Sequence, residues 1–481
     1  MHRLVIQTIL ALLLASLALA GWTPAVRISE QNTSFGPRIA ANGDTLHVVY
    51  WTSDGKPTYQ RSLDSGSYWA DPYCLMDTLT STVGNSPVIR VSGDLILASW
   101  YNGFTNSSRL NIGFRKSNNG GAEWIENSYV LPSDYYDLRK HTFSLGEGVI
   151  YLAYSHWEGE IIVEFTKSTD WGQTWTTPIE LFRMKSSGLF DMVVRGDTIH
   201  FVWPGQFTWE YPVWETYYIK SEDGGQTWTE NVSLGSIDEL GSMYPSIAIN
   251  ERGDLVVCWV DFKYSPYWWT GDLFVRYSYD AGESWTDEEQ IIFTHSAESP
   301  RILWQGDSIH IAWQDARNGG PDPFYIASYD NGLTWGEEQR IDNDQLESFT
   351  PDLAVVGEHV HVVWDENRQY DQGRGIYYSR WDEEVGIEED REILPLAISL
   401  SAYPNPFNGN TTITYNLTEG GEIEIYNITG QLISRLGTTT KEGKTTWDAR
   451  DALGNKVSSG IYFARARGAA HDTAIKLLYL K

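Results

Sequence analysis

Cysteine is almost missing from this chain: Cys74 and Cys258 are the only two in 481 residues. An exported protein stapled by disulfides carries more, and the repeats described below place these two far apart, so both read as unpaired thiols. Basic residues are scarce as well, 35 Lys and Arg against 64 Asp and Glu, which leaves a formal net charge of −29. That balance opposes docking on phosphate backbones or anionic lipid and excludes nucleic acid as the expected partner. Long apolar runs occur once, at the start. His2 and Arg3, the apolar stretch Leu10 to Leu19 and the small-residue site Ala18-Leu19-Ala20 predict a secretory signal over residues 1–20, cleaved before Gly21. No later stretch is apolar enough to span a bilayer, so no transmembrane segment is expected after cleavage. Zinc-ligand spacing, a phosphate-cradling glycine loop and a nucleophile elbow are all missing, and no cofactor or metal is implied.

What remains is globular and rich in rings. Hydrophobic residues at 41% and charged ones at 21% exclude a disordered polyanion, and 43 Gly without a three-residue period exclude collagen. Twenty-two Trp and 28 Tyr point either to a repeated structural Trp or to a surface that stacks on planar or sugar rings.

The chain repeats about every 50 residues. An apolar segment, a Gly-Asp-like turn and a second apolar segment recur around Asp44, Asp94, Gly148, Asp197, Asp254, Asp307 and Glu358, which makes seven units. Between them lies the octapeptide Ser-x-Asp-x-Gly-x-x-Trp, at Ser62 to Trp69, Ser168 to Trp175, Ser221 to Trp228, Ser278 to Trp285 and Ser328 to Trp335, with Asn119 replacing Asp in Ser117 to Trp124 and a degenerate copy at Ser379. The pattern predicts a hairpin turn: the side chain of Asp64, Asn119, Asp170, Asp223, Asp280 or Asp330 accepts turn N–H groups, Gly supplies positive φ, and Trp caps the sheet edge.

These octapeptides resemble Asp boxes (BNR repeats), and residues 21–382 resemble the sialidase-like β-propellers that carry them. The implied fold is all-β, a seven-bladed propeller by repeat count, although the sialidases it resembles have six blades. Each repeat supplies two inner strands, a third leading into the box, and a fourth starting at its Trp. The last repeat lacks that fourth strand, and the mature N-terminus, Trp22-Thr23-Pro24-Ala25-Val26-Arg27-Ile28, reads like the segment after a box. It is expected to pair near Gly375 to Arg380 and close the ring.

An acidic linker is expected over residues 383–399. Beyond it the balance changes to seven acids and nine bases, a net of +2, so residues 1–399 hold −31. The segments Tyr403-Pro404-Asn405-Pro406-Phe407-Asn408, Ile423 to Asn427, Trp447-Asp448 and Ser459 to Phe463 alternate like strands of a small immunoglobulin-like β-sandwich over residues 400–481. In that order they resemble the C-terminal sorting domain of type IX secretion. The resemblance implies contact with that secretion machinery and a secreted or outer-membrane surface location in a bacterium.

In a propeller blade the loops between strands two and three emerge on the face opposite the Asp boxes. Here those loops hold Trp157, Trp209, Trp268, Trp269, Asp315, Arg317, Asp365 and Arg368, a mixture of rings, acids and Arg that suits a glycan or glycoprotein. Sialidase chemistry requires an Arg cluster for the sugar carboxylate, a Tyr activated by a Glu, and an acid. The resemblance carries Arg38 of Arg38-Ile39-Ala40 and Arg301 onto the cluster, with Asp54 as the acid. The third Arg is open, because the equivalent place in the last repeat holds Asp352, Arg90 lies deeper in its strand, and Arg317 or Arg368 could reach inward. Four His on second strands (His47, His200, His310, His361) recur repeat by repeat and read as strand packing. The expected function is a glycan-binding secreted propeller, with exo-sialidase or another glycoside hydrolase, and a protein-interaction platform, as alternatives.

Overall fold

The computed structural model describes residues 21–29, 33–76, 82–104, 110–125, 128–130, 138–185, 189–205, 214–236, 240–265, 270–342, 344, 346–368, 373–382, 399–416, 422–428, 431–437, 442–467 and 472–480. The expected signal peptide and nearly all of the linker lie outside these residues. The chain divides into two compact units, Met1–Val385 and Gly386–Lys481. Every regular element described is a β-strand.

The first unit contains seven antiparallel sheets, numbered one to seven along the chain. Their first strands are Ser34–Asn42, Thr82–Ser92, Leu138–Leu145, Asp191–Arg195, Ser242–Ile249, Ala297–Gln305 and Glu347–Val356. Each pairs with the strand that follows it, and successive first strands pack on one another, the seventh also on the first. The second strands are covered on both faces, which is why they read as continuous apolar runs rather than alternating ones. Leu255–Asp261, for instance, is buried at every position.

The octapeptides fold as hairpin turns with one repeated geometry. Ser62 Oγ donates to Asp64 Oδ1 at 2.8 Å, Gly66 N donates back to Ser62 Oγ at 2.8 Å, and Tyr68 N donates to Asp64 Oδ1 at 2.8 Å. Matching bonds form around Asn119, Asp170, Asp223, Asp280 and Asp330. The glycine is required by a neighbour as well as by φ. A Cβ on Gly66, at φ +87°, would lie 1.9 Å from Tyr378 Oη of sheet seven, and one on Gly282 would lie 1.9 Å from Tyr218 Oη of sheet four.

The octapeptide Trp does more than cap its own edge. Trp69 packs edge-on against Tyr378 at 5.2 Å, Trp124 against Tyr59 at 4.8 Å, Trp228 against Phe165 at 5.3 Å and Trp285 against Tyr218 at 4.9 Å, in each case onto the third strand of the preceding sheet. Because the indole turns toward its neighbour, the fourth strand begins beyond it, as in Tyr73–Cys74 after Trp69. In sheet seven the degenerate copy at Ser379 continues as strand to Asp382, where the described residues of that segment end. There Gly21–Trp22 pairs with Asp382 and Trp381, Val26–Arg27 pairs with Tyr378 and Tyr377, and Trp22 packs on Tyr325 of sheet six at 5.3 Å.

In the second unit, one sheet orders Ser399–Tyr403, Thr411–Asn416 and Glu442–Trp447, and the other orders Leu432–Gly437, Glu422–Asn427, Gly460–Arg467 and Asp472–Tyr479. Ile413, Ile425, Trp447, Tyr462 and Leu477 from both sheets share one core.

Candidate functional site

The first strands of all seven sheets line a single cavity of about 390 Å³. Its position follows from a backbone device. Gly36, Ser86, Tyr244, Ser299 and Thr350 have φ between +49° and +57°, each stands immediately before a proline, and each lies at a break in the register of its first strand. Proline has no N–H to lose at such a bulge, and the bulge re-aims the residues that follow it. Arg38, Ser246, Arg301 and Asp352 come directly after those prolines and line the cavity, as do Lys140 and Asp191 of the two first strands without the proline. Arg90 lines it two residues beyond Val88.

The two acids are committed to neighbouring strands. Asp191 Oδ2 accepts Ser246 Oγ at 3.0 Å and Ile247 N at 3.3 Å, while Asp352 Oδ2 accepts Ile39 N at 3.0 Å. The cations are far less engaged. Arg38 donates to Pro37 O at 2.9 Å, Arg90 to Ile89 O at 2.9 Å and Thr142 Oγ1 at 3.5 Å, and Arg301 to Pro300 O at 3.4 Å. Arg301 Nε also lies 3.9 Å from Asp352 Oδ1. A guanidinium has five N–H donors, and the bonds just given use one or two of them on each Arg. Among the described residues, Lys140 Nζ has no hydrogen-bond acceptor or ion-pair partner. Burial, reinforced by the Arg301 charge, pushes Arg38 down to about 10. Burial followed by Arg301 and Arg38 pushes Lys140 down to about 7. Four partly buried cations set against two acids disfavour one another's charge.

Of the residues expected from sequence, Arg38 and Arg301 meet in this cavity, and the third Arg beside them is Arg90. Asp54 is not among its lining residues; it sits on an exposed turn, where Lys56 Nζ lies 2.5 Å from its carboxylate. Asp315 ends the second strand of sheet six, Asp365 lies inside the second strand of sheet seven, and both are buried rather than standing on open loops. Asp315 accepts Trp313 Nε1 at 3.0 Å, Thr294 Oγ1 at 2.8 Å and Arg317 Nη2 at 2.7 Å, and Arg317 lies over the Phe324 ring at 4.2 Å. Asp365 pairs with Arg374 and accepts Thr350 Oγ1 and Gly36 N. Trp157 is exposed, with Arg139 over its ring at 5.2 Å. The backbone of Arg368 pairs with Gly373 at the end of its strand. Trp209, Trp268 and Trp269 lie outside the described residues.

Sequence reasoning missed Lys140 and Asp191, whose strands lack the proline that marks the bulge elsewhere. It also missed Tyr244 and Glu298, which lie at the heads of the first strands of sheets five and six. Burial and the Glu298 charge raise the Tyr244 phenol, and burial with Asp315 raises the Glu298 carboxyl.

Residues 401–479 match the family described as the secretion system C-terminal sorting domain. The tail is therefore a type IX sorting domain, and the protein is secreted or held at the outer-membrane surface of a bacterium. No curated protein matches the chain in sequence. Among solved structures, it is similar to a PL25 polysaccharide lyase, an ulvan lyase bound to -[GlcA(1-4)Rha3S]-, at 12% identity over 74% of this chain and 94% of the lyase, with a TM-score of 0.53. That likeness is one of fold. The NanB sialidase of Streptococcus pneumoniae aligns at 12% identity over 71% of this chain and 83% of that one, TM-score 0.42. The α-L-arabinofuranosidase Arb93A of Fusarium graminearum aligns at 14% identity over 61% and 91%, TM-score 0.45.

Proposed function

We propose that the seven sheets are the blades of an Asp-box β-propeller closed by the N-terminal segment, and that this propeller binds an acidic glycan or glycoprotein outside the cell. The tail, in this reading an immunoglobulin-like sandwich over residues 400–481, serves export alone. The observation that carries the reading is the meeting of Arg38, Arg90, Lys140 and Arg301 in one cavity whose acids are already occupied. A sugar carboxylate or sulfate fits that charge, and planar guanidinium groups bind such oxyanions through paired N–H donors. Exposed rings such as Trp157 supply stacking for the neutral part of the glycan.

Glycoside hydrolysis is a second reading, favoured by Tyr244 beside Glu298. A carboxylate of raised pKa is a better acceptor for a phenol proton, which is what a tyrosine nucleophile requires. One panel tests both. Wild type is expected to retain uronate-, sulfate- or sialate-bearing glycans on an array, with Arg38→Ala and Arg301→Ala each weakening retention at least tenfold. Turnover of a sialoside by wild type and its loss in Tyr244→Phe would favour hydrolysis. Retention of neutral glycans only, unchanged by either Arg substitution, would overturn the proposal.

A further inference from the structure

Lys140 is the one amine among the cavity's cations, and its surroundings differ from those of a lysine that merely contributes charge. Surface lysines are solvated or paired, whereas this partly buried amine shares its cavity with three guanidinium groups whose charges act on it, and it has no acceptor among the described residues. Asp191, the acid whose charge acts on it, is already bonded to Ser246 and Ile247 of the next sheet. A desolvated lysine beside other cations gives up its proton near neutral pH and becomes a nucleophile toward carbonyl carbon. The remaining cations fix which carbonyl compound can approach. Arg38, Arg301 and Arg90 line the same 390 Å³ space, so a carboxylate held by them brings the adjoining carbon to the amine.

We infer that Lys140 forms an imine with 2-oxo acids, the carboxylate lying on Arg38 and Arg301 and the keto carbon bonding to Lys140 Nζ. The inference rests on the acidic-ligand reading of the cavity and adds a covalent step to it. The neutral amine adds to the keto carbon to give a carbinolamine. That intermediate loses its hydroxyl as water, taking one proton from solvent, and leaves a protonated imine; nothing is oxidised or reduced. The cationic imine stands where the protonated lysine would, and the bound carboxylate offsets its charge. An open-chain keto sugar acid has the required pair of groups on adjacent carbons, as does pyruvate, the smallest member of the class.

The test uses the full-length secreted protein at pH 7.5 with pyruvate and borohydride, which reduces an imine to a stable amine, followed by peptide mapping by mass spectrometry. The expected result is a reduced pyruvyl adduct on the peptide containing Lys140, at least tenfold more abundant than on any other lysine. No adduct is expected with lactate, which has the carboxylate without the ketone. Lys140→Met should remove that adduct; if this variant does not fold by circular dichroism, the wild-type map decides alone. Labelling spread evenly over the lysines, or confined to others, would overturn the inference. So would equal stabilisation of the protein by lactate and pyruvate with no adduct, an outcome that leaves the anion site standing. If neither acid binds and the glycan array is blank, the acidic-ligand reading and the imine fail together.

Discussion

Each of four buried imidazoles shares a hydrogen bond with a tyrosine hydroxyl of the next strand: His47 with Tyr59 at 2.8 Å, His200 with Tyr218 at 2.7 Å, His310 with Tyr325 at 2.7 Å and His361 with Tyr378 at 2.8 Å. The packing role is legible in sequence from the repeat of His at one place on the second strand. The partner is not, because pairing across strands is invisible in a linear pattern. Burial is the main cause that pushes His47, His200 and His310 down to about 4 and His361 to about 3. Since the folded values lie below the unfolded value of about 6.5, the unfolded chain takes up protons first as pH falls. Stability from these groups is therefore full above about pH 6.5 and is lost as pH drops toward 4, on the order of 3 kcal/mol for each imidazole. The turn carboxylates do not mimic this: Asp170, held down to about 2 by Thr174 and Ser168, acts only at lower pH. Urea midpoints are expected to fall from pH 7.5 to pH 5.0, and to fall less in His310→Gln. Equal midpoints at the two pH values would remove this account.

At the scale of the element, the octapeptide was readable because all its parts lie within eight residues. Its function in packing was not, since the ring that receives the Trp and the hydroxyl that excludes a Cβ belong to the preceding sheet, far away in sequence, as Tyr218 is from Trp285 and Gly282. The same distinction applies to the cavity. The X-Pro bulge marks five of the seven lining strands in sequence, and the other two supply Lys140 and Asp191 without any local sign. Two glycines separate backbone strain from packing. Gly306 has φ +58° and nothing within 4 Å of the place a Cβ would take, whereas Gly282 has φ +86° and Tyr218 Oη at 1.9 Å from that place. Gly306→Ala should cost about 1 kcal/mol, the penalty of the left-handed conformation alone. Gly282→Ala must also displace Tyr218 and strain its bond to His200, and should cost roughly 3 kcal/mol or more. Thermal melts of the two variants compare these costs, and similar shifts would mean that the inter-sheet tyrosine adapts freely.

Over the whole molecule, the decisive residues lie at the two ends of the first unit. The octapeptide Trp residues fasten their sheets to the preceding ones, and sheet seven takes Trp22 from the opposite end of the unit. Tyr378 and Arg380 of that sheet then bond to Ser65 O in the first octapeptide at 3.1 and 2.9 Å, continuing the contact from seventh sheet to first. Deleting residues 21–29 would leave Gly373–Asp382 with unpaired N–H and C=O groups along one side, and Tyr325 without its indole. An unpaired strand of that length is a template for pairing with another chain, so the truncated protein should aggregate on concentration and melt at lower temperature. Trp22→Ala isolates the second effect. It keeps the backbone pairing and removes the partly buried ring's contacts with Tyr325 and Trp381 and its hydrogen bond to Gln339, with an expected loss of roughly 3 kcal/mol and no aggregation. Size-exclusion chromatography over a range of concentrations, together with thermal melts, separates the two variants. A monomeric deletion variant of unchanged stability would show that the N-terminal strands are an attachment to sheet seven and not part of what holds it to its neighbours.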